Sequence, residues 1–231
     1  MDIGIIGSGN IGSTLAKNLK ALGHRVAIAN SRGPATLAEF AAQTGVSAAT
    51  VEQAAQAEDL VIIAIPQLAI ADLPLDVLRK NSAVVVDAGN YYPTRDGEVA
   101  AVESGSTDSE WVSSILGRPV VKAFNNILAA SLATRGVPKG TLGRIALSVA
   151  GDDVRAKQRV QEIIQALGFD ALDAGPLAES WRQQPGTPAY CKDLNATELK
   201  AALAQADPGQ VKNYRTEADT AAAPYLVPFK K

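Results

Sequence analysis

The sequence predicts an α/β chain: a mainly parallel, doubly wound sheet with a small C-terminal helical extension. Three observations predict it. Short apolar runs alternate with amphipathic segments along most of the chain. Several of those runs are almost uninterrupted, as suits parallel strands covered on both faces. And a glycine-spaced turn, Gly7-Ser8-Gly9-Asn10-Ile11-Gly12, joins the first strand to the first helix.

Taken in order, Ile3–Ile6 is the first strand, and the amphipathic segment Ile11–Leu22 is the first helix. His24–Ala29 reads as the second strand. Pro34–Gln43 reads as a helix, with proline at its first turn. Val46–Ala48 is a short strand, and Thr50–Ala57 a short helix starting at a threonine cap. Asp59–Ile65 is a buried strand that halts at Pro66, Leu75–Arg79 is helical, and Ala83–Asp87 is another buried strand. A polar stretch, Asn90–Thr107, precedes a helix over Ser109–Leu116 and a strand over Pro119–Asn125. Asn126–Thr134 reads as helix and Arg144–Ala150 as strand. Asp152–Leu167 is an amphipathic helix closed by Gly168. Phe169–Asp173 is the last strand and Asn195–Ala206 a further helix. From Asp207 the chain reads as an extended arm or loose tail, and Tyr225–Phe229 is either disordered or packed on a neighbour. We divide the chain into residues 1–176, the sheet domain, and 177–231, an extension packing on the same unit.

The glycine turn is what a dinucleotide pyrophosphate needs. Gly7 permits the tight turn, Gly9 lets backbone approach the phosphates, and Gly12 lets the helix pack closely on the sheet. The helix start adds unpaired amides and a positive dipole end. The strand–turn–helix order makes this a Rossmann-like fingerprint. About 20 residues past the glycines, NAD-binding domains usually carry Asp or Glu for the ribose 2′-hydroxyl. This chain has Asn30-Ser31-Arg32 instead. An amide does not repel a 2′-phosphate, and Arg32 offers it a planar fork of donors, with Ser31 adding a hydroxyl. NADP(H) is therefore the expected cofactor.

Composition sets outer bounds. A 47% hydrophobic content suffices for a core, and a net charge of −2 argues against nucleic acid or anionic membranes as main partners. Cys191 is the only cysteine, so no internal disulfide forms, which suits a cytoplasmic protein. No apolar stretch reaches transmembrane length, so membrane insertion is not expected. His24, the only histidine, lies at the wrong end of the sheet for catalysis.

Ligands of doubly wound sheets bind at the carboxyl ends of the strands. Collected there are Ala64-Ile65-Pro66-Gln67, Asp87-Ala88-Gly89-Asn90 and Phe124-Asn125-Asn126-Ile127. Ala64, Ile65 and Pro66 are expected along the nicotinamide ribose. Asn90, Asn125 and Asn126 are neutral groups suited to orienting a ring or an amide. Asp87 either serves the site or braces the Asn90 turn, and Lys122 reads as a structural partner. There is no Tyr-x-x-x-Lys pair, no histidine–carboxylate pair and no metal-binding cluster. This set suits hydride passage between two bound rings, where orientation carries most of the catalysis.

The chain resembles the NADPH-dependent reductases of the deazaflavin coenzyme F-420 and their bacterial dinucleotide-binding relatives. The likeness runs from Met1 to about Trp181. It is carried by the glycine turn, Asn30-Ser31-Arg32, Ala64-Ile65-Pro66, Val121–Asn125, Ala150-Gly151-Asp152-Asp153 and Leu172–Leu177. The resemblance implies a homodimer, with the NADP phosphates on Ser8, Gly9, Asn10 and Ile11, and Ser31 and Arg32 at the 2′-phosphate. It implies that Asn125 and Ile127 flank the ring pair as the catalytic positions. The chain departs from the archaeal members, which tend to have histidine at the position of Asn125 and proline at that of Leu128. Its Ser180–Tyr190 segment is similar to the bacterial branch, which leaves a flavin, a quinone or another small acceptor open in place of F-420. Trp181 and Tyr190 either stack on such a ring or pack the extension onto the sheet. Two other classes stay open: an imine reductase resembling pyrroline-carboxylate reductase, and an NADPH-binding sensor without turnover.

Overall fold

The computed structural model describes residues 1–226. The chain runs β1 (Asp2–Ile6), α1 (Asn10–Ala21), β2 (Arg25–Ala29), α2 (Ala38–Thr44), β3 (Ser47–Ala48), α3 (Val51–Ala55), β4 (Leu60–Ile63), α4 (Leu75–Lys80) and β5 (Val84–Asp87). It continues through α5 (Pro93–Asp96), α6 (Ala100–Glu103), α7 (Asp108–Leu116), β6 (Val121–Lys122) and α8 (Ala129–Thr134). The last elements are β7 (Ala146–Val149), α9 (Val154–Ala166), β8 (Asp170–Asp173), α10 (Ala196–Gln205) and α11 (Val211–Ala222).

Six strands form one parallel sheet in the order β3-β2-β1-β4-β5-β6. This is the dinucleotide-binding order, with its switch point between β1 and β4. The apolar runs become its middle: Ile3, Ile5, Ile28, Leu60 and Ile62 are fully buried. One face packs on α1, α8 and α9, with Leu15, Leu19, Leu132, Val160 and Ile164 in a single core. The other packs Val61, Ile63 and Val85 against Leu78, Val112 and Leu116. Burial of one such side chain stabilises the fold by about 1.5–3 kcal/mol.

The expected fold class holds, with local differences. β7 and β8 form their own parallel pair, joined to the main sheet, among the described residues, through an antiparallel bridge between Lys122 and Ala150. The strand predicted over Pro119–Asn125 is only two residues long, because Phe124 turns left-handed (φ 63°) and takes the chain out of the sheet. The helix expected from Asn126 starts at Ala129, since Asn126 and Ile127 are buried in the turn. Pro34–Leu37 is a 3-10 turn ahead of α2 rather than its first turn. The polar stretch Asn90–Thr107 holds the one-turn helices α5 and α6.

The main correction concerns the chain after Asp207. It is the twelve-residue helix α11, not an extended arm. Three distant contacts seat it. Arg215 pairs with Glu103 at 2.9 Å. The Thr94 amide and hydroxyl donate to Asp219 at 3.0 and 2.6 Å. Gly186 (φ 84°) lies so close to the Tyr214 carbonyl that a Cβ there would stand 2.1 Å from it. Of the Tyr225–Phe229 run, Tyr225 is exposed, and residues 227–229 lie outside the described ones. Among the described residues no helix is long and apolar enough to cross a membrane.

Candidate functional site

The three turn glycines are glycine for different reasons. Gly7 has φ +117°, and a Cβ on it would lie 2.2 Å from the Ala64 carbonyl oxygen. On Gly12 it would lie 2.0 Å from the Gly7 oxygen. The fold itself demands both. Gly9 is different: its backbone is extended (φ −71°, ψ −174°), and an added Cβ meets nothing within 4 Å. Neither conformation nor packing explains that glycine. It borders a cavity at the start of α1, whose N-terminus has no side-chain cap. Open amides beside empty space fit a pyrophosphate. A Gly9→Ala protein is expected to keep the wild-type melting temperature while weakening NADP binding at least tenfold, about 1.4 kcal/mol. Gly12→Ala should cost about 1–3 kcal/mol of stability by overpacking. Thermal melts and calorimetry of the two variants distinguish these roles.

The cavity holds about 580 Å³ at the carboxyl ends of β1, β2 and β4. Of the predicted residues it brings together Gly7, Ser8, Gly9, Asn30, Ser31, Ala64, Ile65 and Pro66. Its remaining wall is Ile6, Val51, Glu52, Ala69, Asp72, Leu73 and Pro74. Apart from Ile6, sequence reasoning missed these, for they lie in the first turn of α3 and the β4–α4 connection and carry no motif. Asn10, Ile11 and Gly12 form the first turn of α1 beside it. Arg32, Asn90, Asn125 and Ile127 do not line it.

Asn30 lines the cavity and also builds the loop. Its Nδ2 donates to Ser8 Oγ (3.1 Å) and Thr36 Oγ1 (3.0 Å). Its Oδ1 accepts the Arg32 amide at 2.9 Å. The carboxamide thus ties the β2 loop to the glycine turn and fixes the root of Arg32. The Arg32 side chain is exposed and makes no ion pair among the described residues. Thr36 was not foreseen, although an Asx-type turn is the ordinary use of Asn at a strand end.

At the ends of β5 and β6 the predicted residues are spent inside the protein. Asn125 is 3% exposed; its Nδ2 donates to Asn90 Oδ1 (3.0 Å) and the Gln183 carbonyl (2.7 Å), and its Oδ1 accepts from Gln183 Nε2 (2.9 Å). Asn90 Nδ2 donates to the Asn125 carbonyl and to the Tyr190 hydroxyl. Ile127 belongs to the main core. Both amide atoms of Asn125 are therefore engaged within the protein, and Ile127 is 3% exposed. Beside them the Tyr92 and Tyr190 hydroxyls meet at 2.6 Å. Burial raises both phenol pKa values, so they stay protonated and can donate. Ninety-eight residues separate the pair, and nothing in the sequence signals it. Trp181 is stacked by the Arg182 guanidinium at 4.4 Å. Burial also pushes the Cys191 thiol pKa up, so alkylation at pH 7 is expected to be slow against a free-thiol standard, and to quicken on unfolding.

Asp87 and Lys122, both fully buried, pair at 3.0 Å. Lys122 Nζ also donates to the Gly89 carbonyl (2.6 Å), and the Gly89 amide donates to Asp87 Oδ1 (2.9 Å). Ser109 Oγ donates to Asp87 Oδ2 at 2.6 Å. The pair therefore clamps the Gly89–Asn90 turn from below.

Fold and cavity are those of the Rossmann-like dinucleotide-binding class. Residues 2–91 match the family model described as NADP oxidoreductase, coenzyme F420-dependent. The chain is 37% identical to the SMa0349 protein of Sinorhizobium meliloti, with a TM-score of 0.71 over 84% of this chain and 96% of that one. A candidate F420-dependent NADP reductase from Arthrobacter sp. FB24 is 25% identical, with a TM-score of 0.66 over 78% and 87%. The chain is also 43% identical over 74 residues to YjhV of Escherichia coli and 28% identical over 179 residues to the metalloreductase STEAP3 of Rattus norvegicus. The YjhV match covers 32% of this chain and the STEAP3 match 77%. The chain spans about half the length of the first (54%) and a third of the second (34%). The chain is thus a relative of the SMa0349 protein, with its own residues 2–91 matching the coenzyme F420-dependent NADP oxidoreductase family model.

Proposed function

We propose that the protein is an NADP(H)-dependent oxidoreductase that exchanges a hydride with a planar ring acceptor of the deazaflavin or flavin type. The observation that carries the cofactor half is Gly9, a glycine with no conformational or packing demand at the edge of the cavity. In this reading the amides from Ser8 to Gly12 hold the pyrophosphate, Ser31 and Arg32 hold the 2′-phosphate, and Ala64–Pro66 border the nicotinamide ribose. The bound dinucleotide would supply the hydride. Asn90 and Asn125 act as positioning residues. Their amide network joins the β5 and β6 ends to the segment around Gln183 and so holds the rim of the site in one shape. A ring acceptor of this type suits a rim of neutral amides, because it needs no dedicated acid.

The Tyr92–Tyr190 pair favours a second reading of the acceptor. Two protonated phenols beside Asn90 suit a carbonyl or imine acceptor, which takes a proton along with the hydride. Stopped-flow oxidation of NADPH against deazaflavin, flavin, quinone and cyclic imine acceptors separates the two. Turnover with a deazaflavin or flavin, retained in Tyr92→Phe, supports the first. Turnover only with the quinone or imine, lost in Tyr92→Phe, supports the second. Tight NADPH binding with no turnover on any acceptor contradicts both and leaves a sensor. A homodimer and a cytoplasmic location accord with this reading and are open to sedimentation and fractionation.

A further inference from the structure

We propose a second ligand site in the groove between residues 102–110 and α11, one that takes a planar, carbonyl-bearing ring with an anionic tail. The groove holds about 810 Å³ and shares no lining residue with the dinucleotide cavity. That volume is in the range of small-molecule sites. One of its lining residues carries an uncompensated donor. Gln184 is only 6% exposed, yet its Nε2 has no hydrogen-bond partner. An unmade hydrogen bond on a buried group costs about 1–3 kcal/mol, which a ligand oxygen placed there would recover.

The rest of the lining specifies the ligand. Trp181 offers an indole face, held in place by Arg182 stacked at 4.4 Å. The two carboxylates are already engaged: Glu103 pairs with Arg215, and Glu110 caps the Thr107 amide at 2.9 Å. Lys212 makes no ion pair among the described residues and lies in the first turn of α11, where the helix dipole adds positive potential. Stacking surface, one buried donor and one available cation match a flat ring with a carbonyl at one end and an anion at the other. The main chain links this groove to the rim of the dinucleotide site. Gln183, the residue before Gln184, exchanges two hydrogen bonds with Asn125.

FMN and riboflavin serve as probes, titrated into the full chain saturated with NADP and read by tryptophan fluorescence and calorimetry. FMN is expected to bind and quench, and riboflavin, which lacks the phosphate, about tenfold more weakly. Gln184→Leu should weaken both about five- to tenfold, a loss of about 1 kcal/mol. Lys212→Ala should bring FMN down to the riboflavin level. Neither variant should unfold, since one removes an unpartnered amide and the other an exposed side chain. The proposal is overturned by no FMN binding, by FMN binding that NADP competes away, or by binding that neither substitution changes. The readout is binding rather than turnover, and NADP affinity is measured separately, so failure here leaves the dinucleotide reading standing.

Discussion

Replacing Lys122 with Met is expected to remove about 3–5 kcal/mol of folding stability, the usual penalty for stripping one partner from a buried ion pair. Two contacts disappear at once: the 3.0 Å bond to Asp87 and the 2.6 Å bond to the Gly89 carbonyl. Asp87 keeps its bonds from Ser109 and the Gly89 amide, but its charge is left without a counter-ion. For a chain of this size the melting temperature should fall by about 10 °C. The double variant Asp87→Asn, Lys122→Met should recover part of the loss, because it removes the orphaned charge as well. Thermal melts of the four proteins check this. A single Lys122→Met variant within 1 kcal/mol of wild type, about the size of an exposed pair, would contradict the buried clamp. The clamp also shapes the rim of the site. A Lys122 variant that survives folding should therefore lose acceptor affinity more than NADP affinity, since neither Gly89 nor Asn90 lines the dinucleotide cavity.

Arg32→Ala is expected to collapse the preference for NADPH over NADH by about ten- to a hundredfold, the equivalent of a charge-assisted hydrogen bond of about 1.5–3 kcal/mol. NADH affinity should hardly change, because Arg32 does not line the cavity that takes the shared part of the two dinucleotides. The structure sharpens this. Asn30 Oδ1 fixes the Arg32 amide at 2.9 Å, so the guanidinium starts from a set position although its side chain is free. Asn30→Asp can keep that bond while placing a carboxylate near the 2′-phosphate, and should lower NADPH affinity without lowering NADH affinity. Both effects should shrink in high salt, because the contact is exposed. Equal NADPH-to-NADH ratios in wild type and Arg32→Ala would move the phosphate contact elsewhere.

The features read from the sequence share a physical origin. Strands β1, β4 and β5 are buried on both faces, so their apolar runs stand out locally, and the order of elements then fixes the parallel topology. Gly7 and Gly12 are legible because two close approaches constrain them within one turn, and Gly9 because it completes the glycine spacing. What stayed hidden depends on distance. The polar contacts of α11 reach back to Thr94 and Glu103, and its own sequence buries no side chain, so it lacks the apolar stripe that announces a helix. The Tyr92–Tyr190 contact and the Gln183–Asn125 exchange likewise join residues far apart in the chain. Asn125 and Ile127 were placed by resemblance, which supplies a position but not a side chain's partners. The strand over Pro119–Asn125 was predicted too long because the left-handed turn at Phe124 has no glycine to mark it.

Titration calorimetry of the unmodified protein with NADPH tests the central claim most directly. The account predicts saturable one-site binding, tighter for NADPH than for NADH and weakened by Gly9→Ala. The absence of heat with NADP in either redox form, under conditions where the protein is folded, would contradict it.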